Sequence, residues 1–162
     1  MRRLSLIILN FGLFACNHHT DNTKILQSRV DSLKIKLEDT YKPGFGEFMS
    51  NIQAHHSKLW FAGKSKNWKL ADFEIHEIKE AIYNIQKFQT GRKESQMIEM
   101  INPALDSVNN AIQRKNPALF RSSYSLLTNT CNNCHRETKF EFNVVKIPDS
   151  SPFSNQEFKL VK

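Results

Sequence analysis

Apolar residues along most of this chain recur every three or four positions, the spacing that puts them on one face of a helix. Leu26, Val30, Leu33 and Leu37 draw such a stripe and predict a helix from Thr23 to Asp39, with charges on its other faces. Tyr41-Lys42-Pro43-Gly44 ends it, because Pro43 disfavours helix at Lys42 and Gly44 permits a turn. Four longer helical stretches come after it. The first spans about Phe45 to Phe61, with Phe45, Phe48, Met49, Ile52, His56 and Leu59 at helical spacing, and Gly63 to Asn67 reads as a loop. The second spans Trp68 to Gln89 on the stripe Ala71, Ile75, Ile78, Ile82 and Ile85, with Gly91 placed as a C-terminal glycine. The third spans Glu94 to Lys115 on Ile98, Ile101, Leu105, Val108 and Ile112, with Pro103 as an internal kink. Asn116-Pro117 opens the fourth, Asn as cap and Pro in the first turn. Phe120, Ser123, Leu127, Cys131 and Cys134 share one face of it.

No convincing strand alternation precedes the end of the chain. Phe140 to Ile147 alternates weakly enough to suggest extended chain, and Pro148 and Pro152 keep the remainder of the tail irregular. Only five Gly and five Pro in 162 residues argue against a turn-rich sandwich or barrel. The expected fold class is therefore all-α: an antiparallel four-helix bundle with one extra N-terminal helix and an irregular C-terminal tail. The division expected is a leader over residues 1–15, a tether and short amphipathic helix over 16–43, a bundle over 44–139 and a tail packing on it over 140–162. The leading helix is short for a coiled coil on its own. It reads first as a spacer, with an oligomer contact or a flap on the main domain as alternatives.

The leader is a lipoprotein signal peptide in layout. Arg2 and Arg3 form a basic end, Leu4 to Leu9 an apolar run too short to span a bilayer, and Ala15 a small residue at the cut. Leu13-Phe14-Ala15-Cys16 resembles a bacterial lipobox, which makes Cys16 the lipidated residue of an exported, periplasmic, membrane-anchored protein; Phe14 is bulkier than that position usually carries. A buried N-terminal helix is the plainer alternative. Cleavage before Cys16 would remove two arginines and no acid, lowering the formal net charge from +7 to +5. A mildly basic exported surface suits acidic partners or anionic lipid. No basic run is interleaved with aromatics, so nucleic acid is not an expected partner. Asn17 to Asn22 reads as a polar, flexible tether in which His18 and His19 are solvated.

With Cys16 assigned to lipid, two of three cysteines remain, and they stand in Cys131-Asn132-Asn133-Cys134-His135. This is the C-x-x-C-H pattern of c-type haem attachment. Two thiols on one helical turn can form thioethers to the two vinyl groups of one haem, and the histidine beside them reaches the iron. The expectation is one covalent haem c on Cys131 and Cys134, with His135 as proximal iron ligand. The rivals are weaker. A bare pair would form a disulfide in an oxidising compartment. A thioredoxin-like pair should open a helix after a strand, whereas this one closes a helix. Zinc needs four ligands, and His18, His19, His55, His56 and His76 offer no second close pair spaced with the cysteines. A chance match is the last alternative. For the second axial position Met49 leads, since a thioether opposite His gives a six-coordinate site of raised potential. A Met on an apolar stripe is more commonly core filling. His55, His56 and His76 compete with it, each more simply read as a hydrogen-bonded histidine. Trp60, Phe61 and Trp68 wall the cofactor or seal the core. Asp72, Glu74, Glu77 and Glu80 look like a solvated helical face, and no acid, base and nucleophile set suggests an enzyme.

So assembled, the chain resembles class II c-type cytochromes, the cytochrome c′ group, which are four-helix bundles with C-x-x-C-H in the last helix. Low-spin members carry a Met ligand on the first helix with a His six residues later, and Met49 and His55 fit that spacing. A closer resemblance is to a family of bacterial haem lipoproteins with a C-terminal C-N-x-C-H motif, known only as c-type cytochromes. It rests on Gly46-Glu47-Phe48-Met49, Lys58-Leu59-Trp60-Phe61-Ala62-Gly63, Asn67-Trp68-Lys69-Leu70-Ala71, Leu127-Thr128, the haem motif and Pro152-Phe153-Ser154-Asn155-Gln156, from Lys42 to Phe158. Two departures from ordinary class II members stand out: the chain continues past the haem motif, where the tail could cover a haem edge, and an extra helix precedes Pro43. Iron held six-coordinate by His135 and Met49 through both redox states suits electron transfer with redox partner proteins, and the pairing common in class II proteins makes a homodimer one possible assembly. The alternatives are a five-coordinate haem protein that binds nitric oxide or carbon monoxide, and a non-catalytic subunit of a larger respiratory complex, which the leading helix alone suggests.

Overall fold

The computed structural model describes residues 18–40 and 43–160, without the side chains of 18–21 and 38–40. The signal peptide and Cys16 lie outside the described residues. Those residues are helical with no strand among them, and they are compatible with a helical bundle. The chain divides into two units, Met1–Lys42 and Pro43–Lys162.

The first unit contains α1, His18–Thr40. It begins before Thr23, within the run expected to be a flexible tether. That run holds no Gly or Pro to stop a helix, and Asp21 suits a helix N-terminus. A single helix cannot bury its own apolar stripe, and Leu26, Val30, Leu33 and Leu37 are exposed.

The second unit holds α2 (Phe45–Lys64), α3 (Trp68–Phe88), α4 (Lys93–Met97), a 3-10 turn (Ile98–Ile101), α5 (Asn102–Gln113) and α6 (Pro117–Glu137). The third predicted helix is thus two helices joined by a tighter turn. Pro103 explains the break: it has no N–H to donate backwards, so it sits in the first turn of α5 instead of inside a continuous helix. Gly63 is not loop but the buried penultimate residue of α2, where a Cβ would overlap the ring of Phe120. Gly91 does not cap α3. The cap is Gln89, whose N–H donates to Ile85 O, and no glycine among the described residues has a positive φ. Phe140 to Ile147 forms turns and irregular chain, not a strand.

Asn116 caps α6 as its position predicts, its side-chain oxygen accepting from the N–H groups of Ala118 and Leu119 at 3.0 and 3.1 Å. The core between the helices is Leu59, Ala71, Ile75, Ile78, Ile85, Leu105, Val108, Phe120, Tyr124 and Leu127, all essentially inaccessible. α2 packs on α3 and α6, and α5 on α3 and α6. Polar pairs fix the α3–α5 register, Asp72 with Gln113 and Lys79 with Asp106, so these helices run in opposite directions, and Gln86 reaches Glu99 in the 3-10 turn before α5. After α6 the chain crosses to α2, where Phe153 lies under Lys58 Nζ (5.0 Å) and Phe158 meets Phe61 (5.5 Å).

Candidate functional site

The three residues of the C-x-x-C-H motif close α6. Cys131 and Cys134 are free, half-buried thiols one turn apart on the helix face that carries the buried Phe120, Tyr124 and Leu127. Burial pushes the Cys131 thiol up to about 12, and its neighbour Cys134 adds to the shift. Burial also raises Cys134, with the Glu94 carboxylate adding to it. A reactive dithiol needs the opposite, a lowered value at a helix N-terminus. Both shifts run opposite to that of an exchange-active dithiol, and the two cysteines are not joined in a disulfide.

His135 stands on the same turn. Its Nδ1 donates to the backbone carbonyl of Asn143 at 2.6 Å. That bond places the proton on Nδ1 and leaves the Nε2 lone pair free, which is how protein scaffolds orient an imidazole that binds a metal. Asn143 belongs to the tail, and the tail is tied back to the motif. Asn132 Nδ2 donates to Val145 O, and Val145 N–H donates to Asn132 Oδ1, both at 2.8 Å. Periodicity gives no hint of these bonds, because they depend on where an irregular segment lands. The helix end adds one more: Phe140 N–H donates to His135 O at 2.7 Å.

The other histidines are committed elsewhere. His56 is buried, with Nε2 3.0 Å from Thr128 Oγ1 and Nδ1 3.0 Å from the Tyr124 hydroxyl. Thr128 Oγ1 also donates to Tyr124 O at 3.0 Å and the Tyr124 hydroxyl to His56 O at 2.7 Å, so each ring nitrogen faces a hydroxyl that is itself tied to backbone. Burial lowers His56 to about 4 and keeps it neutral. His55 Nδ1 lies 2.6 Å from the carboxylate of Glu74, which is only 1% exposed. Glu74 therefore does not belong to a solvated face. Its position was legible, three residues after Ala71 and four before Ile78 on the buried stripe of α3. His76 is exposed and bonds within its own helix to Asp72 O. Neither nitrogen of His56 is free, and His55 and His76 face acidic or backbone groups of α3.

Met49 is half-buried against the core. The α2–α6 register places it along the helix pair. Trp60 meets Phe120 and Tyr124, and four residues earlier His56 meets Tyr124 and Thr128. The two helices therefore run in opposite directions. Met49 lies two turns before His56, and the same register carries it toward the end of α6 that holds Cys131 to His135. Trp60 and Trp68 gather around Phe120 at the other end, so they seal the core and stand away from the motif. An open cleft of about 570 Å³ lies between α2 (Ser50, Gln53, Ala54, Ser57) and the tail from Val144 to Phe153.

Among the described residues no group of three or more His, Cys, Asp and Glu is gathered to hold a metal ion with protein ligands alone. No helix among them is long and apolar enough to cross a membrane. Comparisons with models of known families, with curated proteins and with solved structures found no match for the chain. Two free thiols one turn apart, an adjacent imidazole with a fixed proton and a free nitrogen, and a thioether toward the same end of a facing helix fit a covalent haem. They do not fit a four-ligand zinc site.

Proposed function

We propose that the protein is an exported, membrane-tethered monohaem c-type cytochrome that acts in electron transfer. The observation that carries this reading is His135, one residue after two free thiols on a single turn, with Nδ1–H held by the Asn143 carbonyl and Nε2 left open. In this reading Cys131 and Cys134 hold haem c through thioethers and His135 is the proximal iron ligand. Met49 is the distal ligand, supported by its place in the α2–α6 register and by the engagement of His55, His56 and His76 elsewhere. The haem supplies a one-electron couple. The chain's part is to keep both axial groups on rigid helices, so that little moves on reduction.

The finer architecture we propose is the antiparallel four-helix bundle of class II cytochromes, formed by α2, α3, α5 and α6. The signal peptide over residues 1–15 directs export, and a lipid on Cys16 anchors the mature protein to a bacterial membrane from the periplasmic side. Redox proteins are its partners and a homodimer is its expected assembly, with no enzymatic activity of its own and no nucleic acid bound. The test is visible absorption of the full-length chain co-expressed with haem-attachment machinery, read oxidised, reduced and reduced with carbon monoxide. A covalent low-spin haem with a methionine–iron band, unmoved by carbon monoxide, is expected. Absence of covalent haem overturns the reading. A high-spin spectrum that shifts with carbon monoxide makes the protein a gas binder and returns Met49 to the core.

A further inference from the structure

The covalent chemistry of a C-x-x-C-H motif uses the first, fourth and fifth residues and leaves the two between them unassigned. In this chain the first of those two carries a contact that the motif does not require. The carboxamide of Asn132 pairs with both backbone groups of one residue, Val145, thirteen positions on, with each bond at 2.8 Å. Such a pairing needs a donor and an acceptor in one plane. It also settles which end of the amide is which, since the flipped form would set NH2 against N–H and oxygen against oxygen. Leu, Ala or Ser at 132 could not replace it.

Val145 stands two residues after Asn143, whose carbonyl accepts the His135 Nδ1 proton at 2.6 Å. The loop between is held at its start by Phe140 N–H to His135 O (2.7 Å) and braced by Asn143 N–H to Phe140 O (2.9 Å). Its far end is held by Asn132. A lone carbonyl beside a partly exposed imidazole would exchange that contact with water. A carbonyl whose chain is pinned two residues later cannot swing away.

We propose that Asn132 is a positioning residue for the axial histidine: by clamping Val145 it holds the Asn143 carbonyl on His135 Nδ1, which fixes the ring's orientation and tautomer and strengthens it as an electron donor to iron. The inference rests on the haem reading given above. A hydrogen bond to the distal nitrogen of a ligating imidazole raises its basicity, and losing it weakens donation to the metal.

The test compares the haem-loaded full chain with Asn132→Ala and with Val145→Pro, which removes the N–H that Asn132 accepts and leaves α6 untouched. Asn133→Ala, whose carboxamide bonds Arg136 on its own helix, serves as control. In Asn132→Ala and Val145→Pro the His135 Nδ1 proton should exchange with solvent about tenfold faster by NMR, the loss of roughly one net hydrogen bond. The reduction potential should move upward in both, while Asn133→Ala behaves as wild type. If haem is covalently attached and both readouts stay at wild-type values in both variants, the clamp has no influence on the ligand and the inference is wrong while the haem reading stands. If wild-type protein carries no covalent haem, the haem reading fails first and takes this inference with it.

Discussion

At His56 both ring nitrogens face hydroxyls inside the protein, Nε2 that of Thr128 and Nδ1 that of Tyr124. Neither partner carries a compensating negative charge, so a proton added here would be buried without a counter-ion. That is why burial lowers its value to about 4, against 6.5 for a solvated imidazole. The unfolded chain therefore binds one more proton than the folded one between those two values. Stability from this residue is complete above about 6.5 and is lost as pH falls toward about 4, by on the order of 3 kcal/mol. Denaturant titrations at pH 7, 5.5 and 4 should show that loss in wild type and a flatter profile in His56→Phe; parallel profiles would remove His56 as its source. Gly63 makes a second residue-scale test. Alanine is the better helix former by about 1 kcal/mol. Its Cβ, however, would meet three atoms of the Phe120 ring, which is fully buried among Trp60, Trp68 and Tyr124 and has nowhere to move. Overpacking of this kind costs about 1–3 kcal/mol, so Gly63→Ala should lower the unfolding midpoint. A rise in the midpoint would show that the ring can yield.

Among the elements, three helices end in the same way, and none of the three uses a glycine. α2, α5 and α6 each place a lysine in the left-handed region just past the cap: Lys66 at φ 58°, Lys115 at φ 50° and Lys139 at φ 66°. The hydrogen bonds are those of a Schellman turn, for example Lys115 N–H to Ile112 O and Asn116 N–H to Ala111 O. Two of these turns lead straight into the next helix cap, Asn67 for α3 and Asn116 for α6. A left-handed residue with a Cβ costs about 1–2 kcal/mol relative to right-handed geometry, and glycine avoids that penalty. Lys66→Gly and Lys115→Gly, both remote from the C-x-x-C-H motif, should each raise stability by roughly 1 kcal/mol in thermal unfolding. No gain in either would mean that the lysines' own contacts offset the strain. The start of α6 was legible because Asn116-Pro117 announces it. The ends were not, because left-handed lysines carry no compositional mark and Gly63 and Gly91 invited the wrong reading. Pro103 was visible as a disturbance of the third helix. Whether it would bend the helix or divide it depended on packing that periodicity does not contain.

For the molecule as a whole, the helical character, the buried stripes and the motif at the end of the last long helix were readable from spacing alone. The pairing between helices was not, since each stripe specifies that a face is buried and not what covers it. That pairing is what bears on Met49. From its own helix it is one of several apolar residues on the inward side of α2. Only the opposed directions of α2 and α6, seen in the successive contacts of Trp60 and His56 with Phe120, Tyr124 and Thr128, carry it toward the cysteines' end of α6. The same contacts set both nitrogens of His56 against hydroxyl groups, which leaves Met49 the simpler candidate. If Met49 supplies the sixth ligand, Met49→Ala in the haem-loaded protein should give a high-spin spectrum, loss of the methionine–iron band, new binding of carbon monoxide and a lower reduction potential. Packing alone predicts something else. Removing a half-buried methionine would lower stability by up to about 2 kcal/mol and leave the spectrum as it was. Stability and spectrum together therefore separate the two roles: a spectrum unchanged by Met49→Ala takes the thioether off the iron whatever happens to the unfolding midpoint.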